Sequence, residues 1–188
     1  MLFNVVAIDN FYKVPNRVKD VLSNYGKDNK DVNEQISVLE NINEKIKGIF
    51  NDKEMNISSI EFLSIRTNEY ISENVLYDNV SWTIMSCFQD INPNAKLILF
   101  RHKNTGLIGP PNEEDLKRLE LSSFDDWLNN VYNKDKGNPK AWEITTQIEF
   151  EYNRAIVFNS NRLFFRIDFN ENDDRRMFQK IVFEKGRD

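Results

Sequence analysis

The fold is decided by Arg154-Ala-Ile-Val-Phe158, Leu163-Phe-Phe-Arg-Ile-Asp-Phe169 and Arg176-Met-Phe-Gln-Lys-Ile-Val-Phe-Glu184. Each is a short run rich in β-branched and aromatic residues, and Asn, Asp or Ser separates one from the next. Such residues suit a pleated, half-buried surface, whereas Asn, Asp and Ser close turns through their own side chains. With residues 141–150 upstream, the last third predicts four strands. Toward the N-terminus, residues 5–8, 57–65, 69–72, 82–88 and 95–101 read as strands too. Helical spacing is confined to two places at the front. Val14, Val18, Val21 and Leu22 share one face after Pro15. Ile36, Leu39, Ile42, Ile46, Ile49 and Phe50 share another over residues 35–50, beyond a polar loop at 26–34. Pro110-Pro111 then breaks the chain. Short helices are expected at 113–121 and 124–132, with Ser123 as N-cap and Asp126 in the first turn, and a loop at 134–140. Many short strands with helices gathered at the front predict a mainly β, α+β architecture. The expected form is a sandwich or jelly roll with two N-terminal helices and a helical insertion at 112–132.

The chain has 188 residues and no internal repeat, so one domain is expected. Residues 1–52 would supply a strand and the helices, and 53–188 the β core. Fourteen Phe and three Trp are enough to fill that core. The net charge of -5 and pI of about 5.1 argue against a nucleic-acid partner, which calls for a basic face. One cysteine, Cys87, excludes an intrachain disulfide and a cysteine-based zinc site; it lies in an apolar run and reads as a core residue. No apolar stretch reaches membrane-spanning length, and the first residues lack a basic leader, so no membrane partner is expected. The expected location is the cytoplasm, or a virion if the chain is phage-encoded. Asparagine is about one residue in seven, well above average usage, which with the many Lys and Ile suggests an AT-rich genome.

Three segments carry a resemblance: Asn74-Val-Leu-Tyr-Asp-Asn-Val-Ser-Trp82, Phe100-Arg-His-Lys-Asn-Thr-Gly-Leu107, and Tyr152-Asn-Arg-Ala-Ile-Val-Phe-Asn-Ser160 continuing to Phe183. With the opening Ile8-Asp-Asn-Phe-Tyr12, their order and spacing resemble the 2-oxoglutarate/Fe(II)-dependent oxygenase superfamily, in a prolyl-hydroxylase-like branch of bacteria and phages. The resemblance implies a double-stranded β-helix, a kind of jelly roll. It implies iron held by a His-x-Asp pair and a later His, and an Arg that pairs with the far carboxylate of 2-oxoglutarate. Carried onto this chain, the His-x-Asp motif falls on Leu76-Tyr77-Asp78, the later His on Phe165, and the Arg on Arg176, with Arg175 as the alternative register. Asp78 would be the remnant of a metal site at Leu76, Asp78 and Phe165. The chain has one histidine, His102, so no register supplies two. In family members the His of Phe-Arg-His-Lys is not an iron ligand.

These readings predict a catalytically degenerate oxygenase-like protein with no catalytic residues, no metal and no cofactor. It would act by binding or assembly, through a protein partner or a second copy of itself, as a virion or host-interaction component. The alternative is an enzyme or sensor that keeps a 2-oxoglutarate-like acid at Arg176, with Fe(II) and 2-oxoglutarate as cofactors in that case. Arg101, His102 and Lys103 form a basic trio that could contact an anion or partner, although a strand-end His bonded to a neighbouring loop is the plainer reading. Asp78 next to Asn79 is also good turn chemistry. No Gly-Lys-Ser/Thr phosphate loop and no Gly-x-Ser-x-Gly elbow occurs.

Overall fold

The computed structural model describes residues 4–24, 41–66, 74–79, 81–88, 95–169 and 175–185, without the side chains of 21–24, 62–66, 169, 175, 176 and 185. The loop expected at 26–34, the strand at 69–72 and the first turns of the helix at 35–50 lie outside these residues.

Among the described residues, eight strands form two antiparallel sheets. They are β1 (Val5–Ile8), β2 (Met55–Arg66), β3 (Trp82–Cys87), β4 (Ala95–His102), β5 (Trp142–Glu149), β6 (Ala155–Phe158), β7 (Phe164–Phe169) and β8 (Arg175–Lys185). The larger sheet has the order β1-β6-β3-β8-β2 and the smaller β5-β4-β7. Helices α1 (Pro15–Asn24) and α2 (Ile42–Phe50) precede β2. Between β4 and β5 come α3 (Glu113–Arg118), α4 (Phe124–Trp127), a π-turn at Leu128–Tyr132, α5 (Asn133–Asp135) and a 3₁₀ turn at Pro139–Ala141. This is the expected jelly roll with two N-terminal helices and an insertion.

Three apolar layers explain why the central strands are apolar on both faces. Val18, Ile42 and Ile46 of the helices pack with Trp82, Ile84, Val157, Ile181 and Phe183 of the larger sheet. The opposite face of that sheet, through Met85, Cys87, Ile156, Phe158 and Phe178, meets Leu97, Leu99 and Phe165 of the smaller one. On the outer face of the smaller sheet, Ile98, Phe100 and Phe164 meet Trp127, Tyr132 and Trp142. Successive side chains alternate between layers, so β6 is apolar at every position and Leu97–Phe100 of β4 is an unbroken apolar run.

The asparagine excess has a structural use. Asn10, Asn41, Asn51 and Asn153 hold positive φ, a region short polar side chains tolerate better than other non-glycine residues. Asn41 and Asn51 flank α2 on either side. Glu120 at φ 54 ends the helix expected at 113–121 early. The loop expected at 134–140 is partly helical instead, because the helix begun at Ser123 runs through the π-turn into α5. Trp142 Nε1 donates to Asp135 O at 2.8 Å and ties that end down. Among the described residues, no helix is long and apolar enough to cross a membrane.

Candidate ligand cavity

Segment 74–78 is pinned from both sides by its backbone. Val75 N–H donates to Lys136 O at 2.9 Å, and Val75 O accepts the Tyr132 hydroxyl at 2.8 Å. Leu76 and Phe165 form an isolated antiparallel bridge, with N–H to O distances of 2.7 and 2.9 Å. Asp78 N–H donates to Ser160 O at 3.1 Å. The helical insertion and β7 therefore decide together where the Asp78 side chain stands.

Leu76, Asp78 and Phe165 line one cavity of about 270 Å³ between the sheets. The volume is near the lower end for small-ligand sites, which run from about 300 Å³ upward. Tyr77, Met85, Phe158 and Ile167 complete an apolar wall, and Thr83, Asp78 and Lys180 bring polar groups. Lys180 Nζ stands 3.2 Å from Asp78 Oδ2, with the two side chains 25% and 27% exposed. Asp78 Oδ1 accepts the N–H of Asn79 at 2.8 Å, so the residue also performs the turn role read from sequence. Thr83 Oγ1 lies 3.0 Å from Ser160 Oγ. Burial raises the Tyr77 phenol above its ordinary pKa. It pushes Tyr132 up to about 12, with Tyr77 adding to the shift.

Arg166 also borders the cavity, but its guanidinium pairs with Asp168 and stands 5.4 Å from the centre of the Phe100 ring. Phe100 belongs to the outer layer, so that charge faces away from the cavity. Arg175 and Arg176 lie at the start of β8, opposite Arg66 and Ile65. Their side chains are outside the described residues.

The three residues of the basic trio have separate partners within the chain. Arg101 faces Glu143 across the strands at 3.5 Å, and Lys103 Nζ donates to Lys140 O at 3.0 Å. His102 is 2% exposed, with Nδ1 2.9 Å from Thr105 Oγ1 and Nε2 3.0 Å from Asp135 Oδ2. Its ring centre lies 4.9 Å from that of Trp142. The sole histidine thus joins the end of β4 to the helical insertion.

Sequence reasoning passed over Lys180. Its signal was a lysine in Phe178–Phe183, a run otherwise buried on both faces of its strand. Asp135, the partner of His102, had no signal, because 33 residues separate the two.

No protein-family model matches the chain, and no curated protein does. Solved structures match well. The alpha ketoglutarate dependent epimerase SnoN from nogalamycin biosynthesis superposes with a TM-score of 0.61 at 8% identity, over 97% of this chain and 78% of its own. Iron-bound HygX from Streptomyces hygroscopicus gives 0.52 at 10%, over 97% and 82%. The alpha ketoglutarate dependent carbocyclase SnoK gives 0.51 at 10%, over 96% and 79%. This chain has the fold of the 2-oxoglutarate/Fe(II)-dependent oxygenases.

That likeness corrects the expectation of no cofactor. The neighbours in this fold are alpha ketoglutarate dependent or iron-bound proteins, so Fe(II) and 2-oxoglutarate are the groups the fold implies. The two fit the cavity differently. Of Leu76, Asp78 and Phe165, only Asp78 has a lone pair for a metal, and its Oδ2 faces an ammonium. Among the described residues, no group of three or more His, Cys, Asp or Glu could hold a metal ion. The two-histidine, one-carboxylate site therefore does not fit. A small acid does fit, since the cavity combines an apolar wall with a lysine cation.

Proposed function

We propose that this protein binds a small organic acid of the 2-oxoglutarate type in the cavity beside Lys180, as a sensor or carrier built on the oxygenase fold. The observation that carries the reading is the Lys180–Asp78 pair, 3.2 Å apart, on the same cavity as Leu76 and Phe165. A carboxylate ligand can take a hydrogen bond and a charge from the lysine while its carbon chain lies against Met85, Phe158 and Phe165. Thermal denaturation with 2-oxoglutarate, succinate and an uncharged diester, each with and without Fe(II), tests it. The acids should raise Tm in chelator and the diester should not, because only a group that binds the folded state stabilises it. Stabilisation that needs Fe(II), accompanied by oxidative turnover, would overturn the reading.

A second reading, binding of a protein partner, is favoured by one observation. Strand β5 pairs only with β4 among the described strands, and its residues 143–147 are exposed, Ile144 at 49%. An open strand edge is a template for another strand. Light scattering across a concentration series tests self-association, and a strictly monomeric mass would remove the version in which the partner is a second copy.

A further inference from the structure

We infer that the Lys180 ammonium is the resident cation of this cavity, occupying on Asp78 the place that the resemblance gives to a metal. The placement stands on geometry alone, and its consequence for ligands rests on the acid-binding reading above.

Leu76, Asp78 and Phe165, far apart in sequence, meet on one cavity through the Leu76–Phe165 bridge and the Asp78–Ser160 hydrogen bond. Into it β8 sends the one residue between Phe178 and Phe183 that is not buried, and that residue is a lysine. Burying an ammonium beside an apolar wall is costly without a partner, and Asp78 is that partner at 3.2 Å. The arrangement excludes a divalent ion as well. At the three positions that the resemblance gives to metal ligands, such an ion would meet one donor, Asp78, two hydrocarbon side chains and a positive charge already on the donor.

The substitution changes what the cavity recognises. A divalent metal gains from chelation, taking a carboxylate oxygen and the neighbouring 2-oxo oxygen of the same ligand together. An ammonium is a point charge with three rotatable donors and no coordination geometry. It binds a carboxylate equally well whether or not a keto oxygen lies beside it. The cavity should therefore take glutarate, which lacks only the keto oxygen, as readily as 2-oxoglutarate, with no metal present.

Calorimetric titration of both acids into chelator-treated protein tests this. The two Kd values are expected to agree within about threefold, well under the tenfold that about 1.4 kcal/mol represents. A preference for 2-oxoglutarate of about tenfold or more, appearing only with Fe(II) or Co(II), would overturn the inference. Binding of neither acid would remove the acid-binding reading and leave the placement to a second experiment. Leu76→His with Phe165→His supplies two imidazoles, and Co(II) absorption bands report the metal. With Lys180 retained, Co(II) should bind weakly. Adding Lys180→Ala should strengthen binding by about tenfold or more. Equal affinities with and without Lys180 would overturn the placement. Should the histidine variants fail to fold, a double-mutant cycle on Asp78→Asn and Lys180→Met decides, and zero coupling would overturn it.

Discussion

Replacing Lys180 by methionine keeps the length and apolar stem of the side chain and removes its charge. At 3.2 Å, two unit charges attract by about 5 kcal/mol at an effective dielectric near 20, and by about 1.3 kcal/mol in water. Partial burial of both groups offsets much of that gross attraction, and their residual exposure, 25% and 27%, screens it further. The net loss expected for Lys180→Met is about 1–2 kcal/mol, chiefly because Asp78 is left charged beside an apolar wall. For a chain of this length the loss lowers Tm by about 2–8 °C. Asp78→Asn in the same protein removes the stranded charge. The double variant should therefore return to within about 0.5 kcal/mol of the parent, a coupling well above the error of additivity. Urea denaturation of the parent, both single variants and the double variant measures it. Additive single effects, or a Lys180→Met variant as stable as the parent, would refute the claim that the pair organises the cavity.

Four further outcomes follow from the same structure. His102→Ala removes a buried ring with two polar partners beside Trp142, so urea denaturation should show a loss of about 2–4 kcal/mol. Hydrogen exchange should rise first in α5, which carries Asp135. Gly109→Ala places a Cβ 2.1 Å from the Arg162 carbonyl oxygen, so the backbone must part there; it should lose about 1–3 kcal/mol and expose the Phe164 N–H now bonded to Ile108 O at 2.7 Å. The Tyr132 phenol is raised by burial from 10.0 to about 12, so the unfolded chain ionises first. Its stabilisation is complete below pH 10.0 and lost as pH climbs toward about 12, and Tyr132→Phe should flatten that alkaline limb in a denaturation series. Asp126 is held below its ordinary pKa of 3.8 by the Ser122 N–H, the Asn130 side chain and the Ser122 hydroxyl. Its contribution is present above pH 3.8 and fades as pH falls further, and circular dichroism of Asp126→Asn should lose that acid-side dependence.

The fold was legible because its signals are local. Every described strand was read from β-branched and aromatic runs, and unbroken runs such as Ala155–Phe158 fit strands covered on both faces. Cys87 is fully buried among the sheets' apolar residues, as its surroundings in sequence suggested. The Ser123 cap was legible for the same reason, its hydroxyl accepting the Asp126 N–H three residues on. Where a helix stops was less legible. The π-turn at Leu128–Tyr132 carries the insertion helix past its expected end, because Tyr132 and Trp142 anchor it through bonds to Val75 O and Asp135 O. These are tertiary contacts with no local trace.

The site divides in the same way. Leu76, Asp78 and Phe165 could be placed from the family resemblance, and the structure sets them on one cavity. Lys180 could not, since 102 residues separate it from Asp78 and a lone lysine in a strand ordinarily reads as solvent-facing. Its position between buried neighbours became informative only once both faces of β8 were known to be covered. The expectation of no cofactor failed for a different reason: counting histidines constrains iron but says nothing about the organic acid.

The most direct test of the account is calorimetry of 2-oxoglutarate with the metal-stripped protein and its Lys180→Met variant. One equivalent should bind to the parent in the presence of chelator, and binding should weaken by about tenfold or more in the variant. Heat that appears only after Fe(II) is added, unaffected by Lys180→Met, would contradict it.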